Sequence, residues 1–193
     1  MKNVSPRSDA LSAAGRAAHD IGAAALLGGN LFGRLAMHPA LADACSKEDR
    51  GRIVNAAWRR YGTVNSLSLA AVVTGWVGAR SYEAQNGLLS DRERSLARAR
   101  DAAVGAVAVT GIAAAVTGVR FGHAAPGGAV PLDSGSKPAA EAAPAAARAK
   151  RALNALGALN IAAEATLVAV NAALSQENFR RPPARRFLKR RFG

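Results

Sequence analysis

The chain has 193 residues, 50% of them hydrophobic, with a formal net charge of +13 and a mean hydropathy of only +0.03. Its single cysteine, Cys45, excludes an intrachain disulfide and a cysteine-based metal site. The positive charge suits an anionic partner, either lipid headgroups or nucleic acid, and the placement of the uncharged residues decides for lipid. The hydropathy is low because the apolar residues are mainly Ala and Val, with many Gly among them, and because cations fill the gaps between apolar runs. Arg outnumbers Lys by 21 to 5, which points to a GC-rich coding sequence and a prokaryotic source.

Residues 1–16 form a polar tail bearing Lys2, Arg7 and Arg16. The first nearly uncharged stretch follows at 21–37 and ends at His38-Pro39, where proline limits helix continuation. A secretory leader would be cut near Ala42-Asp43-Ala44, but Arg34 and His38 interrupt the approach to that site, so the stretch reads as a retained anchor. Ser46-Lys47-Glu48-Asp49 has the form of a helix start. Beyond it Ile53, Val54, Ala57, Trp58 and Tyr61 recur at helical spacing among arginines. This predicts an amphipathic helix on a membrane surface, with Trp58 and Tyr61 at the interface. A second uncharged stretch runs over 62–79.

Ser90-Asp91-Arg92-Glu93 opens another helix, which feeds a third stretch at 102–119. Residues 122–144, rich in Gly, Pro, Ala and Ser, read as a flexible loop with no core of its own. The fourth stretch covers 152–175. The chain closes on a basic tail, 180–193, in which seven cations are interleaved with Phe187, Leu188 and Phe192. Ala70–Gly75 and Ala113–Gly118 share a small-residue pattern, as two halves of an inverted repeat would.

A helix needs about 20 mostly apolar residues to cross the ~30 Å hydrocarbon core. Helices apolar on every side must also be buried on every side, and so short a chain cannot surround four of them with its own polar helices. The expected fold is therefore all-α, an integral membrane four-helix bundle with amphipathic helical extensions. Residues 1–179 form a single four-span domain, followed by the cytoplasmic tail. Both termini and 80–101 share one side with 15 Lys and Arg residues, against 10 on the other side, which places both termini in the cytoplasm of a bacterial inner membrane.

Glu164 lies near the middle of the fourth stretch, roughly 18 Å from either end at 1.5 Å per residue. A carboxyl at that depth costs several kcal/mol unless it is protonated, hydrated or partnered, so it faces inward. Asn160 and Asn171 fall within an arc of about 40° of it, beside Gly157. The first stretch carries a matching series, Asn30, Arg34 and His38, with His19 on a similar azimuth. Arg34 is a candidate partner for Glu164 or, alternatively, snorkels to the outer interface. Gly29-x-x-x-Gly33 and the Ala71, Gly75, Ala79 series offer faces for close helix approach. The chain has no phosphate-binding loop, dinucleotide glycine fingerprint, G-x-S-x-G or metal-ligand spacing. No catalytic residue, cofactor or metal is therefore assigned.

Residues 28–41, Gly-Gly-Asn-Leu-Phe-Gly-Arg-Leu-Ala-Met-His-Pro-Ala-Leu, resemble the opening of small four-span bacterial membrane proteins loosely related to the anthrone-oxygenase-like family. In that family a glycine-rich first helix runs into a Pro-Ala-Leu segment. The resemblance implies a four-helix architecture, and no catalytic residue of the family has a counterpart here. The functional expectation is a structural or interaction-type membrane protein. The alternative is a small proton- or solute-coupled transporter acting as an oligomer, with Glu164 as its titrating residue. The expected partners are the bilayer, anionic headgroups at the tail and a possible second copy of the chain; a nucleic-acid role is disfavoured.

Overall fold

The computed structural model describes residues 6–43, 46–86 and 90–180. Four long helices account for most of them: α1 (Pro6–Phe32), α2 (Lys47–Asn86), α3 (Asp91–Gly122) and α4 (Pro144–Arg180). A π-helical turn, Gly33–Met37, and one further turn, His38–Ala40, prolong α1. Neighbouring helices run antiparallel as two hairpins, α1 with α2 and α3 with α4, which meet through α1–α4 and, less extensively, α2–α3. The basic tail beyond Arg180 lies outside the described residues.

Both expected helix starts are present. Ser46 Oγ accepts from Asp49 N at 3.0 Å. At α3, Ser90 Oγ accepts from Glu93 N at 3.2 Å and Glu93 Oε2 accepts from Ser90 N at 2.7 Å, a complete capping box. The helix expected to lead from Ser46 into the second uncharged stretch is present. It is the first part of α2, whose 40 residues run unbroken for about 60 Å. No Gly-Pro signal interrupts 47–86, so the helical ladder continues from the charged segment into the apolar one.

Small residues set how closely α1 and α2 approach. A Cβ on Gly22 would sit 2.7 Å from Ser68 O, and one on Gly75 would sit 2.9 Å from Gly15 O. At Gly29 and Gly33 the space is taken by rings instead: a Cβ on Gly33 would lie 2.5 Å from Trp58 Cζ2, and one on Gly29 would overlap the Tyr61 hydroxyl. Trp58 and Tyr61 therefore wedge between α1 and α2, and they pack edge to face on each other.

The core has two parts. The central cluster joins Ala23, Leu26, Val72, Ala103, Val104, Val107 and Leu167 from all four helices. The second lies at one end and includes the segment expected to have no core: Val130, Leu132 and Ala142 bury against Leu41, Val54 and Phe121. Residues 122–144 thus form a packed cap. Leu132 and Pro138 pair as an antiparallel bridge. Leu132 N donates to Lys47 O at 3.1 Å, and Gly135 N donates to His38 O at 2.9 Å. Arg50 Nη1 donates to Asp133 O at 2.8 Å, and Asn55 Nδ2 donates to Gly128 O at 2.8 Å. Gly127 and Gly128 turn the chain at φ +60 and +74, values that other residues adopt only with strain. Composition concealed this because the anchors are single apolar residues spaced among turn-formers.

The outer surface is apolar. Val109, Ile112, Val116 and Val119 of α3 are exposed, as are Leu159 and Val168 of α4, Ile21, Phe32 and Leu35 in and just after α1, and Leu67 and Val77 of α2. Helices α3 and α4 are long and apolar enough to cross a membrane, and only 17% of each apolar window is buried.

Gly51 and Gly62 separate close packing from helix propensity. A Cβ on Gly51 would run into the Val130 carbonyl and lie 2.8 Å from its nitrogen, whereas nothing lies within 4 Å of Gly62. In thermal unfolding followed by circular dichroism, Gly51→Ala should lose about 1–3 kcal/mol through overpacking against backbone. Gly62→Ala should be neutral or stabilising by up to about 1 kcal/mol.

Candidate functional site

Glu164 is 1% exposed, the most deeply buried acid described. It sits on α4 where α1 and α3 converge. Asn30 Nδ2 of α1 donates to Glu164 Oε1 at 2.8 Å. The Asn160 amide, one turn before Glu164 on α4, contacts the same oxygen. Thr110 Oγ1 of α3 lies 2.6 Å from the Asn160 side chain and 2.6 Å from Ala106 O. Glu164 Oε2 is buried without a hydrogen-bond partner.

Of the expected site residues, the structure brings Glu164, Asn160 and Asn30 together. Asn171 shares their face of α4 but lies two turns on, where Asn171 Nδ2 is 3.0 Å from His19 Nε2. Because the Val72 carbonyl can only accept, His19 Nδ1–H is the donor to it at 2.7 Å, which leaves Nε2 to accept from Asn171. His19 therefore ties α1 to α2 and α4, and its role follows from the azimuth it shares with Asn30. Arg34 does not pair with Glu164. It is exposed, and its Nη1 donates to Asn154 O at 3.2 Å. The reason is the π-helical turn Gly33–Met37, whose i→i+5 bonding breaks the i, i+4, i+8 register of Asn30, Arg34 and His38. Thr110 was missed, although it is a hydroxyl near the midpoint of 102–119 and so at the depth of Asn160.

His38 faces the cap instead. Trp58 Nε1, which can only donate, gives its proton to His38 Nε2 at 3.1 Å. Burial, reinforced by the Lys150 and Arg34 cations, lowers the imidazole from 6.5 to about 4. Lys150 is itself 3% exposed, with Nζ 5.4 Å from the centroid of the Phe121 ring, and burial lowers it from 10.5 to about 8. At the opposite end, Asp101 accepts from Trp76 Nε1 at 2.7 Å and pairs with Arg80 at 2.9 Å, and Arg92 meets Glu177 at 3.2 Å. The Asp101 contacts join the two hairpins, and the Arg92–Glu177 pair closes the α3–α4 hairpin.

Among the described residues no three His, Cys, Asp or Glu side chains gather to hold a metal. An open groove of about 620 Å³ lies beside Arg59, His123 and backbone 124–128, and none of the Glu164 seam lines it. The seam can bind, orient or hold a proton; it presents no nucleophile paired with a base. Comparison with protein-family models, curated proteins and solved structures found no match. The resemblance of residues 28–41 therefore rests on those residues alone.

His38 gives a pH signature. Its proton affinity is depressed in the fold, so its contribution to stability is complete above 6.5 and is lost as pH falls toward about 4. Denaturant titrations across that window should show stability falling with pH, with a shallower fall in His38→Gln, which keeps an acceptor for Trp58.

Proposed function

We propose that this chain is an integral membrane four-helix bundle of structural or interaction type, crossing the bacterial inner membrane four times with both termini in the cytoplasm. The observation that carries this reading is the inverted placement of polarity. Glu164, Asn160 and His19 are buried, while Ile21, Leu67, Val109, Ile112 and Val119 are exposed. A water-soluble bundle gains by the opposite arrangement. In lipid, apolar side chains do not distinguish a helix from the solvent, and small residues with interhelical hydrogen bonds provide the association. The Gly22, Gly75 and Glu164 contacts are of that kind. The basic tail 180–193 would then bind anionic headgroups at about 1 kcal/mol per cation at low screening.

A transport reading, in which an oligomer moves protons or a small solute past Glu164, draws on the unpartnered Oε2. Such a path would have to open a seam in which that residue is 1% exposed. The structural role needs no opening, and we prefer it.

The protein should stay in the membrane fraction after carbonate washing and require detergent for release. Recovery in the wash supernatant would remove the membrane reading and leave a soluble Ala-rich bundle. Orientation is tested separately. Reporter fusions after Gly193 should report cytoplasm and fusions within 122–144 the outside, and the reverse pattern would invert the topology.

A further inference from the structure

We propose that Glu164 holds a proton in the folded bundle and that its carboxyl O–H begins a one-way hydrogen-bond chain through Asn160 and Thr110 to the Ala106 carbonyl. The starting point is Thr110. Its hydroxyl oxygen lies 2.6 Å from Ala106 O and 2.6 Å from the Asn160 side-chain oxygen. A hydroxyl has one proton. With Asn160 so oriented, one of two short oxygen–oxygen contacts has no hydrogen between its atoms.

A half-turn of the Asn160 amide exchanges its oxygen and nitrogen while keeping both contacts. The amide then donates to Thr110, whose own proton goes to Ala106 O. Thr74, Thr117 and Thr166 place theirs in the same way, on the carbonyl four residues back at 2.8, 2.7 and 2.8 Å. The turned amide presents its oxygen to Glu164 Oε1, and the proton between those two oxygens belongs to the carboxyl. Asn30 Nδ2 still donates to Oε1 at 2.8 Å.

Glu164 Oε2 supports the same state independently. It is buried and has no donor. As half of a carboxylate it would be a charged oxygen left unpaired; as the carbonyl of a neutral acid it forfeits much less. The charged and titratable groups nearby do not supply the missing donor. From α2, the Tyr61 hydroxyl donates to Ala25 O at 2.7 Å. The Arg34 guanidinium that follows α1 donates to Asn154 O. From α3 the seam receives only Thr110. The bound ligand is the proton, and its departure requires Asn160 to turn back and Thr110 to release its carbonyl, so one protonation event is felt on α1, α3 and α4 together.

Infrared difference spectra of the full-length protein, wild type minus Glu164→Gln at neutral pH, test this. A carboxylic-acid C=O band that moves down in D2O, is lost in Glu164→Gln and is shifted in Thr110→Val is the expected result. Loss of carboxylate bands instead would overturn it. Should the Gln variant not fold, wild-type protein carrying ¹³C-carboxyl glutamate answers the question alone. One glutamate signal should keep its protonated position at neutral pH, and a full set at the carboxylate position would refute the proton. Glu164 is interior whichever way the carbonate wash turns out, so failure here leaves the membrane reading standing.

Discussion

The burial of one carboxyl group between three helices constrains the rest of this bundle. Glu164 cannot reach water from its place on α4, so its hydrogen-bonding partners must come from the helices that enclose it. Asn30 supplies a donor from α1, and Asn160, tied to Thr110 of α3, supplies another contact. The two hairpins are joined chiefly through α1 and α4, and the described side-chain bonds from α1 to the middle of α4 fall at Asn30–Glu164 and His19–Asn171. Sliding one hairpin past the other by a residue would strand several buried polar groups at about 1–3 kcal/mol each. The apolar contacts, built largely of Ala and Val, would change far less. Polar groups thus fix the register, while the apolar residues supply contact area.

Glycines decide where that register can be realised. Backbone-to-backbone approach at Gly22 and Gly75 brings His19 within 2.7 Å of the Val72 carbonyl. Farther along α1, Gly29 and Gly33 accept Tyr61 and Trp58, and Trp58 in turn reaches His38 at the edge of the cap. The cap closes on the same neighbourhood through Gly135 and Leu132. A continuous line of packing therefore runs from the central seam to the 122–144 segment, and the π-helical turn in the extension of α1 lies along it.

Much of this was readable in the sequence, for physical reasons that also explain the failures. The four helices were legible because long uncharged runs are bounded by charges and by Ser-x-x-Asp or Ser-x-x-Glu starts. The inward stripe of Glu164 and Asn160 was legible because a helix of uniform pitch maps spacing onto azimuth. Arg34 failed because that premise failed: a π-helical turn is not marked by any residue type, and it rotates everything after Phe32. The seating of Tyr61 and Trp58 on Gly29 and Gly33 was not legible, because a glycine pair announces close approach without saying what fills the space. The cap was hidden because Val130 and Leu132 are isolated among Gly, Pro and Ser, and periodicity cannot register two buried residues in a short irregular segment.

Charge placement completes the division of labour. At the end opposite the cap, Asp101 faces Arg80 and Glu177 faces Arg92. At the cap, Lys47 engages Glu141 at 2.9 Å and Asp133 at 3.5 Å. The exposed Lys47 pairs are each worth at most about 1 kcal/mol, and ion pairs placed toward the helix ends leave the outward faces of α3 and α4 free of charge over the apolar windows. The formal net charge of +13 is carried outside those windows. The described bundle thus keeps its most deeply buried acid, Glu164, between helices and carries its ion pairs toward the helix ends.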